Sequence, residues 1–171
     1  MPQMGAQAPS FSLVGVEDEE QTRFSLTDYT ADGSIILLLF YPFDFSPICT
    51  TELCSIRDAE WFSYTENLQV WAISTDSVYS HSQFSEEYDI GFPLLSDTDG
   101  SVASKYNVCY DEWEGHKNVP KRAVFLIDSA GTIQYSWATD DAYNQPELTA
   151  INEALLELVS FHETLTADDI P

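Results

Sequence analysis

Residues 35–57, IILLLFYPFDFSPICTTELCSIR, decide the fold of this chain. They begin with six consecutive apolar residues that lie between a Gly-Ser pair and a proline. A short apolar run bounded in this way is typical of a strand buried on both faces, as in the centre of an α/β sheet. Pro42 and Pro47 then indicate a tight loop, and a helical pattern begins at about Cys49. The stretch therefore predicts a strand, a loop and a helix, with Cys49 on the first turn of that helix.

The predicted position of Cys49 favours a reactive thiol. Backbone N–H groups in the first turn of a helix have no partner inside the helix, and the helix dipole attracts negative charge there. A thiol in such a place is biased toward the thiolate, which is the nucleophilic form. Cys49 is therefore predicted to be the best nucleophile in the chain.

The rest of the chain alternates strand and helix patterns. Strands are predicted at 11–16, 22–26, 68–74, 93–95, 123–128 and 132–137. Helices are predicted from about 49 to about 67, after a cap at Asp76 or Ser77, after Gly100 to about Asn107, and from Pro146 onward. With hairpins at both ends and helices between buried strands, this order indicates a mixed α/β sandwich. At 171 residues, of which 44% are hydrophobic, the chain is expected to form one domain, residues 1–171.

The charge balance restricts the partners that the protein can have. The sequence holds 29 acidic residues against six basic ones, a formal net charge of −23. Nucleic acid and anionic membranes would repel such a surface, so neither is expected as a partner. Dispersed acidic residues with few lysines are typical of proteins that work in concentrated salt, so a halophilic protein is expected, the alternative being acidity that serves solubility alone.

The N-terminal residues and the cysteine count indicate a reducing compartment. The first residues, MPQMGAQAPSF, contain neither a basic segment nor an apolar core of the kind found in signal peptides. No apolar run approaches the length of a membrane span. We therefore expect a cytoplasmic protein, in which the three cysteines take part in chemistry rather than form structural disulfide bonds.

The loop before Cys49 contains the groups that cleavage of an O–O bond requires. Such a reaction needs a thiolate, hydrogen-bond donors for both oxygens, and little competing water. Ser46 can donate its hydroxyl, and the N–H groups around Cys49 are further donors. Pro42 stiffens the loop and shields it from water. The best distant candidate for a cation is Arg122, which leads directly into the apolar segment AVFLID.

This set of residues resembles the peroxiredoxin family. The similarity covers FYPFDFSPICTTELCSIRD, AISTDSVYSHSQFSEEYDIGFPLLSD and PKRAVFLIDSAGTIQYSW. It implies a thioredoxin-like fold without cofactor or metal, with Cys49 as the peroxidatic residue and Pro42, Ser46 and Arg122 as its partners. The family commonly has threonine where this chain has Ser46, which keeps the hydroxyl. Cys54 is similar to the resolving cysteine of the bacterioferritin-comigratory (Q) subgroup, whereas Tyr135-x-Trp137 and the last helix are similar to the alkyl hydroperoxide reductase E subgroup.

The resemblance implies a catalytic cycle with Cys54 as the resolving cysteine. Cα atoms five residues apart in an ideal helix are roughly 8–9 Å apart, and a disulfide spans no more than about 7 Å. Cys49 and Cys54 can therefore bond only if the first turns of their helix unwind. A thioredoxin-like dithiol would reduce the disulfide, and the protein is either a monomer or a homodimer.

Other interpretations remain open at this stage. A general thiol–disulfide oxidoreductase would need the motif Cys-x-x-Cys. A copper-binding assembly factor would need the motif Cys-x-x-x-Cys together with a histidine late in the sequence. A one-cysteine peroxidase using an external thiol, or a sensor that passes its oxidation to a partner protein, stays as an alternative. Two further positions have two interpretations each. Glu52 either holds Arg122 or a loop amide, or is solvated, and Arg57 either braces the site or pairs with a neighbouring acid. Cys109 has no recognisable partner and is expected to be structural or incidental. The histidines at 81, 116 and 162 lack metal-ligand spacing and are expected to be packed or on the surface.

Overall fold

The computed structural model describes residues 1–168, with the side chains of residues 1–60, 62 and 64–160. The strands are β1 (Ser12–Glu17), β2 (Glu20–Ser25), β3 (Ile35–Phe40), β4 (Leu68–Ser74), β5 (Leu94–Ser96), β6 (Glu112–Trp113), β7 (His116–Lys117), β8 (Ala123–Ile127) and β9 (Ile133–Ala138). The helices are α1 (Leu26–Ala31), α2 (Pro47–Arg57), α3 (Trp61–Tyr64), α4 (Val78–Tyr88), α5 (Ser101–Lys105) and α6 (Leu148–Asp168). The predicted mixed α/β sandwich is confirmed.

Seven strands form one mixed sheet in the order β2-β1-β5-β4-β3-β8-β9, and β6 pairs only with β7. Strand β3 lies near the centre, parallel to β4 and antiparallel to β8. All six residues of β3 are buried, because helices cover both faces of the sheet. The long apolar run in the sequence is therefore explained by its central position.

Successive residues of β3 enter two different hydrophobic clusters, one on each side of the sheet. Ile36, Leu38 and Phe40 join the cluster that contains residues of α5. Leu37 and Leu39 join the cluster that contains residues of α2, α4 and α6. This alternation is the ordinary two-residue period of a strand. Helices α2 and α5 therefore pack on opposite faces of the sheet.

Two helix boundaries differ from the prediction. The helix after the loop begins at Pro47 and ends at Arg57, with Asp58 as its C-cap, instead of continuing to about residue 67. Apolar residues at positions 61 and 64 continue the helical spacing of α2, which favours the longer helix in the sequence, but Tyr64 belongs to the separate helix α3 and is 81% exposed. The side chain of Trp61 lies outside the described residues. The last helix begins at Leu148, two residues beyond Pro146.

Two elements were missed by the sequence pattern. Residue 26, predicted to end a strand, instead begins α1, where the hydroxyl of Ser25 accepts a hydrogen bond from the N–H of Asp28. The short hairpin β6–β7 contains no run of apolar residues, and its turn consists of Glu114 and Gly115, both with positive φ. The other predicted strands and helices are present, with shifts of a few residues at their ends.

The acidic residues lie mostly at the surface. Among the side chains that the structure describes, the buried carboxyl groups are those of Asp44, Glu52, Asp97 and Asp128. The remaining described acids are at least partly accessible to water. Halophilic behaviour remains a prediction. Within residues 1–168, no helix has both the length and the apolar character that crossing a bilayer requires.

Candidate active site

The loop of residues 41–46 connects the central strand to α2. Pro47 is the first residue of α2, a position where proline is favoured because its missing N–H would have no partner there. Ser46 is the N-cap residue, yet its side chain makes no capping hydrogen bond. Its hydroxyl is therefore not committed to the helix and is available to a molecule that binds in front of it.

Cys49 is fully buried on the first turn of α2, as the sequence predicts. The side chain of Arg122 reaches it, with Nη2 at 3.5 Å from Sγ. Strand pairing explains this approach over a long sequence distance. Ala123 at the start of β8 is opposite Phe40 at the end of β3, so the preceding residue, Arg122, lies beside the loop. The guanidinium is 99% buried, which leaves little water to screen its charge.

Arg122 is held in place by two acceptors besides the thiol. Its Nε and Nη2 donate to the carbonyl oxygen of Ala142, at 3.1 and 2.8 Å. Its Nη1 donates to Oε2 of Glu52, three residues after Cys49 on α2. Burial acts to lower the pKa of Arg122, but the charges of Glu52 and Cys49 raise it overall. The guanidinium therefore stays charged and fixed in orientation beside the sulfur.

Glu52 is nearly completely buried, and its carboxyl group has an unusual pKa. Burial raises the pKa from 4.5 to about 7, although the charge and the hydrogen bond of Arg122 act to lower it. Oε1 of Glu52 and the hydroxyl of Thr50 are buried and have no hydrogen-bond partner among the described residues. The pair of Arg122 and Glu52 thus settles one open alternative: Glu52 is not solvated but contacts the predicted cation.

The raised pKa of Glu52 predicts a pH-dependent contribution to stability. Because the folded state holds this proton more tightly than the unfolded chain, the contribution is fully present below about pH 4.5 and is lost as the pH rises through about 7. Glu52→Gln has nearly the same shape but cannot titrate. The free energy of unfolding of the wild type relative to this variant should therefore fall by on the order of 3 kcal/mol over that interval.

Urea unfolding of both proteins at a series of pH values and one fixed salt concentration measures this difference. The other acidic residues titrate equally in both proteins, so their effects cancel. Two curves that stay parallel between pH 4.5 and 7 would show that Glu52 keeps an ordinary pKa.

A pocket of about 480 Å³ borders Ile48, the residue before Cys49, and Arg122, whose guanidinium contacts the thiol; Cys49 itself does not line it. Ser46 and Arg122 contribute polar groups to it, and aromatic side chains come from the loop, from β6 and from the segment before α6. Its lining consists of Pro42, Phe43, Ser46, Pro47, Ile48, Trp113, Glu114, Arg122, Ala142 and Tyr143. A small molecule in this pocket would meet both the guanidinium and the hydroxyl of Ser46. The fold thus brings Pro42, Ser46, Cys49 and Arg122 together, while their roles remain predictions.

Sequence reasoning missed several residues of this site. The carbonyl of Ala142 has no signature in the sequence, because any residue could supply it. Trp113 and Tyr143 reach the pocket only through the β6–β7 hairpin and the segment before α6, neither of which was predicted to lie there. Glu52 was not missed but had two interpretations, and its position one helical turn after Cys49 on the same side of α2 favours the contact with Arg122.

The other two cysteines lie in different surroundings. Cys54 is half-buried on α2 and packs against the same hydrophobic cluster as Cys49, and both thiols are free. Since both lie within the continuous helix α2, they are too far apart to bond in this conformation. Cys109 packs against the cluster on the opposite face of the sheet, and burial raises the pKa of its thiol. The sheet therefore separates Cys109 from Cys49.

Arg57 and the histidines take ordinary positions. Arg57 pairs with the adjacent Asp58 and also donates to the carbonyl of Tyr88, so it joins α2 to α4 rather than entering the pocket. His81 is packed and His116 is on the surface, as expected. His162 lies outside the described side chains. Within the part of the chain that is described, no three His, Cys, Asp or Glu side chains are grouped so as to hold a metal ion.

Comparison with known proteins connects this geometry to a family. Residues 4–136 match the AhpC/TSA family. The chain is 37% identical over 139 residues to a Coxiella burnetii protein named as a peroxiredoxin of the bcp type, covering 79% of this chain and 87% of the relative. It is also 37% identical over 172 residues to a thioredoxin peroxidase of Fasciola hepatica, covering 95% and 84% of the two chains. The crystal structure of the reduced 2-Cys peroxiredoxin of Plasmodium vivax superimposes with a TM-score of 0.83 at 27% identity, covering 95% of this chain and 85% of the other.

Proposed function

The chain belongs to the AhpC/TSA family, and from this premise we propose that Cys49 is the residue with which it reduces peroxides. The thioredoxin-like fold and the thiol-dependent peroxidase activity follow from family membership. The observation that carries the assignment of Cys49 is the contact between its sulfur and the buried Arg122 beside the pocket. Neither Cys54 nor Cys109 is hydrogen-bonded to a guanidinium among the described residues, although Cys54 lies near enough to Arg57 for their charges to interact.

The first chemical step is attack of the Cys49 thiolate on one oxygen of a hydroperoxide. A sulfur–oxygen bond forms as the oxygen–oxygen bond breaks, and the leaving oxygen takes a proton to become water or an alcohol. The sulfur is oxidised to sulfenic acid and the peroxide is reduced by two electrons. Arg122, the Ser46 hydroxyl and the free N–H groups of the first turn of α2 can donate hydrogen bonds to the two oxygens as charge develops.

A direct experiment is to add one equivalent of peroxide to the reduced protein and to trap the product. Dimedone, which reacts with sulfenic acids, should label the peptide that contains Cys49. Labelling confined to Cys54 or Cys109 would overturn the assignment. Comparing hydrogen peroxide with cumene hydroperoxide in this experiment would also measure which substrate the pocket prefers.

We assign the second step to Cys54, which condenses with the sulfenic acid to form an intramolecular disulfide and release water. The two cysteines lie in one continuous helix, so α2 must lose its first turns before the sulfurs can meet. Arg57 remains bonded to the carbonyl of Tyr88 and can hold the C-terminal end of α2 while the first turns unwind. A dithiol then reduces the disulfide by thiol–disulfide exchange.

Cys54→Ser tests this second step. The variant should react once with peroxide at the wild-type rate, because Cys54 makes no contact with the reacting sulfur. It should then accumulate sulfenic and overoxidised Cys49, and turnover with a thioredoxin-like dithiol should stop unless a small external thiol is supplied. Intact-mass analysis after stepwise addition of peroxide, together with a coupled turnover assay, measures both effects.

Cys109→Ser is the matched control for this experiment. It removes one thiol on the far side of the sheet and should leave turnover unchanged. Undiminished turnover in Cys54→Ser without an added thiol would refute the resolving role and favour a one-cysteine mechanism. A Cys49–Cys109 bond in oxidised wild type would transfer that role to Cys109.

The partners and the location form the remaining part of the proposal. The name of the Fasciola hepatica relative, thioredoxin peroxidase, supports a thioredoxin-like reductant for this chain. A homodimer and a cytoplasmic location complete the proposal.

A further inference from the structure

A second buried polar cluster lies behind the loop that precedes Cys49. It joins Asp44, from the loop, to His81, from α4, and both side chains are at most 1% exposed. The carboxyl group of Asp44 accepts hydrogen bonds from the hydroxyls of Tyr41 and Ser80, at 2.6 and 2.7 Å. Its two oxygens lie 3.1 and 2.9 Å from Nδ1 of His81. The loop is therefore tied to α4 by a network that water does not reach.

Both ring nitrogens of His81 have a hydrogen-bond partner on a neighbouring element. Nε2 lies 3.1 Å from the carbonyl oxygen of Leu95, which can only accept, so Nε2 carries a hydrogen. Nδ1 faces the carboxyl group of Asp44, which already accepts from two hydroxyls. The ring therefore joins the loop to β5.

Further groups extend this network. The second carboxyl group nearby is that of Asp76, whose Oδ2 accepts from the N–H of Asp44 at 2.8 Å and from the hydroxyl of Ser74 at 2.7 Å. The hydroxyl of Tyr41, 3.4 Å from Nδ1, stays protonated because burial raises its pKa. The loop is therefore bonded to the end of β4 as well as to α4.

The backbone next to this pair is strained. Phe45 follows Asp44 directly and has a φ of +61°, the left-handed region that a residue with a large side chain rarely adopts. Such a conformation persists only where the surrounding structure enforces it. On one side Asp44 is fixed by its bonds to α4, and on the other side α2 begins two residues later. The ring of Phe45 also packs against Phe84 of α4, with centroids 5.1 Å apart.

We propose that the hydrogen-bonded pair of His81 and Asp44 is a latch that holds the loop in its strained, reactive conformation, which makes His81 a positioning residue for the reaction of Cys49. The latch sets where Ser46 lies in front of the thiol. When the latch opens, the strain at Phe45 is released and the first turns of α2 can unwind toward Cys54. This role rests on the proposed function of Cys49.

The test compares two reactions of Cys49 in His81→Gln. Glutamine can still donate to one acceptor but cannot join Asp44 and Leu95 as the ring does. With a loosened loop, the second-order rate constant with peroxide should fall on the order of 10- to 100-fold, because small displacements of catalytic groups have effects of this size. Alkylation of the same residue by iodoacetamide, followed on its peptide by mass spectrometry, should become faster, because Cys49 is fully buried in the latched state.

Ser85→Ala is the matched control on the same helix. Ser85 donates to the carbonyl of Ile90 at 2.7 Å, and its side chain makes no hydrogen bond to the described residues of the loop, so its loss weakens α4 without touching the latch. Both rate constants should stay at their wild-type values in this variant. Opposite changes of the two rates in His81→Gln, with neither change in Ser85→Ala, support the latch; any other pattern overturns it.

Two further measurements keep the proposal testable if His81→Gln does not fold. Asp44→Asn keeps the shape of the other partner and should show the same opposite changes. In the wild type, ¹⁵N spectra should show a hydrogen on Nε2 of His81, as its contact with the carbonyl of Leu95 requires, and an Nε2 without hydrogen would refute this placement of the ring and with it the latch. Wild-type protein that fails to form sulfenic acid on Cys49 would instead refute the proposed function itself.

Discussion

Cys49→Ser is expected to abolish peroxide reduction while leaving the fold intact. The exchange replaces sulfur by oxygen with almost no change of shape, so the fully buried site can accommodate it. A serine hydroxyl remains protonated where a thiol can become a thiolate, so the variant lacks the nucleophile that attacks the peroxide. Neither of the other cysteines can take over, because neither lies beside Arg122 and the pocket.

Consumption of hydrogen peroxide in the presence of a dithiol measures this loss, and circular dichroism with thermal unfolding shows whether the fold is kept. Cys109→Ser serves as the control for loss of one thiol in general. Peroxide turnover by a folded Cys49→Ser protein at a rate comparable to the wild type would remove Cys49 from the mechanism.

The sequence predicted those parts of the fold that depend on local pattern. The run at residues 35–40 indicated a strand buried on both faces, and β3 has all six residues buried. The placement of Cys49 followed from the same pattern, since Pro47 and the loop before it mark the start of a helix. Both features are decided within about 15 residues of chain, and so they could be recognised without knowledge of the tertiary structure.

The errors occurred where the local pattern was absent or misleading. Apolar residues at helical spacing continue beyond residue 57, so one long helix was predicted. In the structure the helix ends at Arg57, with Asp58 as its C-cap, and the side chain of Tyr64 is exposed to solvent. The β6–β7 hairpin pairs Glu112 with Lys117, and such a polar ribbon has no apolar alternation to reveal it. Tertiary context decided the outcome in both cases.

The candidate site was predicted in its chemistry but not in its supports. Arg122 was recognised as the distant cation, yet its anchoring to Ala142 depends on a register between strands that no local pattern reveals. The same holds for Asp44 and His81, which are 37 residues apart and meet only after α4 packs against the sheet. Each is unremarkable in sequence, one as a polar loop residue and the other as a packed helical histidine.

Arg122→Lys is expected to lower the rate constant of Cys49 with peroxide by on the order of 100-fold or more, the effect of losing one preorganised donor. Lysine keeps the positive charge but loses the planar fork, which donates at once to Ala142, Glu52 and the sulfur. A single ammonium group cannot satisfy three acceptors in these directions. The charge alone is therefore not expected to restore the reaction, and stopped-flow measurement against peroxide tests this.

Arg122→Ala separates the structural role of the guanidinium from its role in the reaction. It leaves the carboxyl group of Glu52 buried without a cation, so the protein should lose about 3–5 kcal/mol of stability, as when one partner of a buried ion pair is removed. The neighbouring Lys121→Ala is the control, because Lys121 pairs with the exposed Asp140 at the surface, where such pairs contribute about 0–1 kcal/mol. If Arg122→Ala is unstable and Arg122→Lys is stable but slow, the guanidinium geometry acts on the reaction in addition to supporting the fold. A folded Arg122→Lys variant that reacts as fast as the wild type would place Arg122 among the structural residues only.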